Sequence, residues 1–250
     1  YLATTFEWTS GNGIYIPTDA GRNAVRRLRV RGTGKTSCGI MVGSDNHVGY
    51  IDLAELFVDG WAQGVRFAAA LWTNVRRCIV TANTIGVDFD AGDDDMYSTT
   101  VHLDNNTIIG NDLQGIGATK AWINNQSVRV TGGSIEGNCT ADISLPQVVF
   151  GFSDGVHAAG VAGLTIDAVH FEHSLTTIDA LDLKLCGEFR VSNCAFYNGD
   201  DCIKDSIGGA AGAGVIFGNF ATSQGGKFIN MASETDIVEC KRNCPPSLCR

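Results

Sequence analysis

One pattern recurs along this chain: an apolar-x-apolar pair, then a third large apolar residue seven positions after the first. Its clearest copies are Leu164, Ile166, Phe171 and Phe189, Val191, Phe196. Earlier copies are Ile51, Leu53, Val58; Cys78, Val80, Ile85; Val101, Leu103, Ile108; and Val128, Val130, Ile135, with worn ones starting at Leu28 and Val215. The starts lie 23, 27, 23, 27, 36, 25 and 26 residues apart. Self-similarity at such a period marks a solenoid, whose repeats bury their apolar faces only against their neighbours. Two-residue alternation makes the repeats strands, and no window keeps a helical apolar period for three turns. One coil of three short strands and their turns needs roughly 20 to 30 residues, at about 3.3 Å per strand residue. The chain therefore reads as all-β, a right-handed parallel β-helix of about eight coils; left-handed hexapeptide helices have shorter, more regular coils. Ile85, Ile108, Ile135, Phe171 and Phe196 are expected to form one interior stack.

Composition fits this architecture. Thirty-one glycines and only 4 prolines suit a chain of tight corners between strands that need their N–H groups paired. The reading is one elongated domain over residues 1–250: a lead-in at 1–27, coils at 28–235 and a cysteine-rich tail at 236–250. Because it begins at a tyrosine, the chain is expected to be part of a longer one, and no targeting segment is visible. A net charge of −9 argues against nucleic acid as a partner, since phosphate neutralisation needs clustered Lys and Arg. In the basic run Arg26, Arg27, Arg29, Arg31, alternation makes Arg29 and Arg31 an outward, solvated ridge. No apolar run approaches the roughly 20 residues of a membrane span, so no membrane insertion is expected. Of nine cysteines, Cys78 reads as a core residue. Cys194 and Cys202 either pair or stack inside, and Cys240, Cys244 and Cys249 close an irregular cap; no metal is expected there, because a paired Cys-x-x-Cys is missing. Sequons occur at Asn105, Asn125 and Asn138.

The chemistry lies in the acids. Asp88, Asp90, Asp93, Asp94 and Asp95 read as a solvated turn, with Ca²⁺ binding the alternative and no other cofactor implied. The longest coil carries its extra length in CTADISLPQVVFGFSDGVHAAGV, the kind of insertion that walls a site on an otherwise flat solenoid. Counting ten residues back from the next copy gives Asp154 and Asp179, and Asp200 with Asp201 belong to the same place one coil on. Neighbouring coils lie about 4.8 Å apart, so these carboxylates are expected to stack on an outer face, raising at least one pKa. Paired carboxyls are what glycosidic hydrolysis requires; the competing reading is that each Asp caps a local turn. His157 and Lys204 lie near the same face as pKa-tuning or substrate-binding groups. Glu136 and Glu172, both one residue after an inward position, are the alternative pair.

VSNCAFYNGDDCIKD resembles the polygalacturonase branch of the pectin-lyase-like β-helices, whose signature is an Asn-Gln-Asp-Asp-Cys-type corner. TIDALDL stands where that family has Asn-Thr-Asp-Gly. The resemblance implies an inverting hydrolase with Asp179, Asp200 and Asp201 as catalytic carboxylates. Where the family has His-Gly, this chain has Gly225-Gly226-Lys227, which makes Lys227 a substrate-binding candidate; only Lys241 and Arg242 stand near its Arg-Ile-Lys clamp. VRVTGGSIEGN and IDAVHFEHS resemble bacteriophage tailspikes and capsule depolymerases, which implies a homotrimer, a polysaccharide substrate and an extracellular or virion-associated place. The expected function is thus a polysaccharide-cleaving glycoside hydrolase. The alternatives are a non-catalytic adhesin or fibre shaft, and a polysaccharide lyase.

Overall fold

The computed structural model describes residues 4–17, 20–44, 47–90, 98–118, 125–153, 158–159, 161–184, 186–205, 214–222, 225–231 and 237–241. They form a right-handed parallel β-helix with three faces. Each face is a parallel ladder nine strands long; the third has a tenth strand because one of its rungs is split into Asn125–Gln126 and Arg129–Thr131. Successive strands along the chain go to sheets A, B and C in turn, so every hydrogen-bonded neighbour lies one coil away. The first rung comes from Thr5–Trp8, Ile14–Ile16 and Ala24–Arg26, inside the segment read as a lead-in.

The interior is built from rows of apolar residues in register. Sheet A contributes Val58, Val80, Ile108, Ile135, Phe171 and Phe196, all buried. Phe171 and Phe196 stack with centroids 4.8 Å apart and planes 4° from parallel. Four of the five residues expected in one stack are therefore there. Ile85 is not: it sits in sheet B, paired with Gln63 and Gln114, and Val80 takes its place. The copies beginning at Leu28 and Cys78 are offset by one corner. Sheet C in fact aligns Val25, Leu53, Val75, Leu103 and Val130. The strand after the corner has the same alternation as the strand before it, so Leu28-x-Val30 and Cys78-x-Val80 satisfy the template from the wrong side.

The corners between sheets A and B are held by side chains. Buried Asn83, Asn111 and Asn138 stand one above another. Asn111 Oδ1 accepts from the Asn83 backbone N–H (3.1 Å), and Asn138 Oδ1 accepts from that of Asn111 (3.1 Å). Each amide also donates to a carbonyl of the preceding coil, Asn111 Nδ2 to Val80 O at 3.3 Å. These groups satisfy backbone polar atoms that a buried turn would otherwise leave unpaired. Beside them runs a column of glycines, Gly39, Gly64 and Gly86, where a Cβ would come within 2.6 Å of the next coil's carbonyl oxygen. The asparagine ladder ends at His173, whose Nδ1 accepts from Leu175 N (2.9 Å), leaving Nε2 to donate to Asn138 O (2.7 Å).

Other expectations meet the structure as follows. Arg26, Arg27, Arg29 and Arg31 each pair with a carboxylate on an adjacent coil: Asp52, Glu55, Asp59 and Glu7. Cys78, Cys194 and Cys202 are buried thiols outside any disulfide, so the last two stack inside rather than pair with each other. Burial pushes the Cys194 thiol up to about 12. Asn138 is fully buried in its ladder and so closed to glycosylation, whereas Asn105 is exposed. The side chain of Asn125 lies outside the described residues, as do that of Cys240 and all of Cys244 and Cys249.

Candidate functional site

The candidate site is the A-to-B corner of the later coils, where the asparagine ladder has ended. Strands His170–Glu172 and Ala195–Tyr197 leave sheet A in register, and Leu181–Asp182 and Ile203–Asp205 enter sheet B in register. This brings Asp179 of one coil against Asp200 and Asp201 of the next. The Asp201 backbone N–H donates to Asp179 Oδ1 (3.1 Å), and Lys204 Nζ donates to Asp179 Oδ2. One coil further, the Lys227 backbone N–H donates to Asp201 Oδ1 (2.7 Å) and Asn230 Nδ2 to Asp201 Oδ2 (2.5 Å). Both oxygens of Asp179 and both of Asp201 are thus engaged.

These two carboxylates were expected on an outer face. Instead the Asp179 side chain is 12% exposed and Asp201 as a whole 8%. Each caps a backbone N–H of the following coil, whereas the asparagines of the earlier coils cap one of the preceding coil. Asp200 differs. It is half-buried, and no hydrogen bond reaches its carboxyl among the described residues. Its pKa is raised, first by burial, then by the charges of Asp201 and Asp179, against a partial offset from Lys204. Burial pulls the Lys204 ammonium down, but its bond to Asp179, with the charges of Asp182 and Asp201, leaves it raised overall.

Gly226 completes the corner. A Cβ there would lie 2.4 Å from Asp200 Oδ1 and 2.5 Å from Asp201 Oδ1, so the chain passes over the carboxyls only as glycine. Gly225 is similarly tight, its Cβ position 2.3 Å from Thr176 O. The place where a histidine was missed is therefore shaped for no side chain at all. Lys227 follows with an exposed side chain, its Nζ 3.3 Å from Asn230 Oδ1. Asn230, which sequence reasoning missed, is the direct partner of Asp201; its spacing of 29 residues from Asp201 matches the coil period and was the available signal.

The remaining candidates fall elsewhere. Glu136 and Glu172 are register partners on the outward side of sheet A, as expected, but on the strands rather than at the corner. Glu172 Oε2 lies 3.1 Å from His170 Nε2, and His170 is followed outward by the Tyr197 ring at 4.9 Å. Asp154 and His157 lie outside the described residues, between the two strands of a small antiparallel hairpin, Phe152–Ser153 with Ala158–Ala159. In register, Asp179 follows Pro146, since Val148 pairs with Leu181; the described carboxylates at this corner come from two coils. The loop read as a solvated turn begins on strand Ile85–Phe89, with Asp88 fully buried and Asp90 paired to Arg66 at 3.0 Å. Asp93, Asp94 and Asp95 lie outside the described residues, as do Arg242 and the side chain of Lys241. No group of three or more His, Cys, Asp or Glu able to hold a metal occurs among the described residues.

No family model matches the sequence, and no curated protein matches it as a relative. Solved structures are similar in fold. An alginate lyase from Paenibacillus sp. str. FPU-7 superimposes with a TM-score of 0.69 at 12% identity, covering 95% of this chain and 85% of that one. The enzymatically active domain of Bacteriophage CBA120 tailspike protein 2 gives 0.64 at 10% identity, over 93% of this chain and 37% of that one. ORF18 of Geobacillus virus E2 gives 0.63 at 16% identity, over 94% of this chain and 48% of that one. The chain thus spans less than half of either viral chain.

Proposed function

We propose that this chain cleaves a polysaccharide by hydrolysis at the corner formed by Asp179, Asp200 and Asp201. The observation that carries the reading is Asp200: a half-buried carboxyl without a hydrogen bond among the described residues, its pKa raised beside two carboxylates whose oxygens are all bonded. A carboxyl with a raised pKa holds its proton to higher pH, which suits a general acid for the leaving glycosidic oxygen. Asp179 is the partner that orients or deprotonates water, being less enclosed than Asp201 and already fixed by Lys204. Asp201 is a positioning residue that ties the corner to the next coil. Lys204 and Lys227 supply the cations that receive a sugar's hydroxyl or acidic groups. Glu136 and Glu172, beside His170 and Tyr197, are the alternative pair.

Hydrolysis is favoured over elimination by charge. A lyase must offset the carboxylate of a uronate, whereas this corner gathers three carboxylates around Lys204, itself already paired with Asp179. Fold similarity to a tailspike domain and to an alginate lyase supports a polysaccharide as substrate and an extracellular or virion-associated place; it does not choose the reaction. The test is incubation with pectic, capsular and O-antigen polysaccharides. New reducing ends without ultraviolet-absorbing unsaturated products are expected, and Asp200→Asn should lower turnover by about 10² to 10⁴. Unsaturated products would establish a lyase, and tight binding without cleavage an adhesin or shaft.

A further inference from the structure

The outward face of sheet C carries groups that the acidic corner does not use. Six successive coils hold a left-handed residue at one position: Arg22, Tyr50, Trp72, Thr100, Ser127 and Gly163, with φ between 46° and 73°. In two of these coils the residue at the kink is a large, exposed aromatic. Tyr50 and Trp72 are 52% and 47% exposed and stack with centroids 4.8 Å apart. The Arg22 guanidinium lies 5.5 Å from the Tyr50 ring.

Two residues along the same strands, Asn74, His102 and Arg129 stand in register and line a groove of about 510 Å³. The row continues to Thr165 and Arg190, so it spans five coils, or about 19 Å at roughly 4.8 Å each. The groove's acids are already engaged: Asp52 holds Arg26 and Arg76, and Asp104 accepts from Thr131 Oγ1 at 3.1 Å. Arg129 and Arg22 form no ion pair among the described residues. Burial, then the charge of Arg129, lowers the His102 pKa, which keeps the ring neutral, able both to donate and to accept. An exposed aromatic pair edged by guanidiniums and neutral polar groups suits sugars that carry negative charge, since the outward surface of the pair meets the apolar C–H patches of a sugar and Arg meets planar anions in two-pronged fashion.

We propose that this face of sheet C is a binding platform for an acidic polysaccharide, with Tyr50 and Trp72 under the sugar rings and Arg22 and Arg129 on its anionic groups. It lies away from the A-to-B corner and holds the chain whether or not the corner cleaves it. On the hydrolase reading, an acidic heteropolysaccharide also offers neutral units to the carboxylates.

Affinity electrophoresis of the 250-residue chain in gels containing xanthan, polygalacturonate or neutral dextran tests this. One or both acidic polymers should retard the protein, dextran should not, and added salt should weaken the effect. Trp72→Ala and Tyr50→Ala, both at exposed sites, should each weaken retardation about three- to tenfold. Arg129→Gln should reduce its salt dependence, and Asp200→Asn should leave retardation unchanged. The proposal fails if neither acidic polymer retards the wild type. It fails equally if Trp72→Ala is retarded like wild type; a lower sedimentation mass in that variant would then assign the aromatic pair to contact with a second copy of the chain.

Discussion

Asp200 and Asp179 occupy one corner but answer to different neighbours, and the difference has a measurable sign. Removing the Asp179 charge removes one of the causes that raise the Asp200 pKa and frees Lys204 to lower it further. Asn at position 179 keeps an Oδ1 to accept from the Asp201 N–H, so the corner's geometry survives. If protonated Asp200 is the acid, the alkaline limb of kcat/KM should move to lower pH in Asp179→Asn. An unmoved limb in the residual activity would assign the acid to another group. The same raised pKa has a stability consequence. The folded value lies above the unfolded value of about 3.9, so Asp200 favours the fold below that pH and the benefit is lost as pH rises through the folded value. Asp52, whose pKa is lowered chiefly by its bond to Arg76, works the other way, and its contribution is lost as pH falls. Gly226→Ala is expected to displace both Asp200 and Asp201, because its methyl would sit within 2.5 Å of an oxygen of each. Turnover should fall while the far-ultraviolet circular dichroism keeps its strand signature.

At the level of the corner, two polar ladders do one job with different chemistry. Asparagines hold the earlier turns by accepting from the coil before; aspartates hold the later ones by accepting from the coil after. An asparagine both accepts and donates, so its ladder is electrically neutral and closes on itself. An aspartate only accepts, so its ladder accumulates charge and must recruit Lys204 and Asn230. Asn111→Ala would strip a partner from the Asn83 N–H and from the Val80 carbonyl, both interior. Leaving buried groups unpaired costs about 1 to 3 kcal/mol each, so urea unfolding should shift by about 2 to 6 kcal/mol. A shift below about 0.5 kcal/mol would show that water replaces the side chain. The repeat was legible in sequence because Ile108, Ile135, Phe171 and Phe196 must all point inward, and a one-residue slip would turn them out. The offset at Leu28 and Cys78 arose where strands on both sides of a corner carry the same alternation. The Asn83–Asn111–Asn138 ladder was not recognised, because an isolated Asn at a turn has many local reasons to be there; only the recurring spacing of 28 and 27 residues marks it. The acidic corner was found by counting, but counting does not give burial, and so Asp179 and Asp201 were assigned a freedom they lack.

For the molecule as a whole, the backbone ladders join each coil to its two neighbours, while a side-chain pair such as Lys35 with Asp112 (2.6 Å) reaches further, so stability accumulates mainly along one axis. The homotrimer implied by the resemblance to tailspikes is checked by sedimentation: three chains per particle are expected, and a single-chain mass at micromolar concentration would refute it. The equivalence of Asn83 and Asn111 has a further consequence. Each makes the same bonds to the coil before it, and the 28 residues from one to the other amount to one complete coil. That stretch is a spacer unit: a gene carrying it twice would encode a longer rod whose added coil finds a matching face above and below. The distance between the two ends of the molecule is thus open to change by duplication, while the corner at Asp179, built on a different ladder, is passed along unaltered.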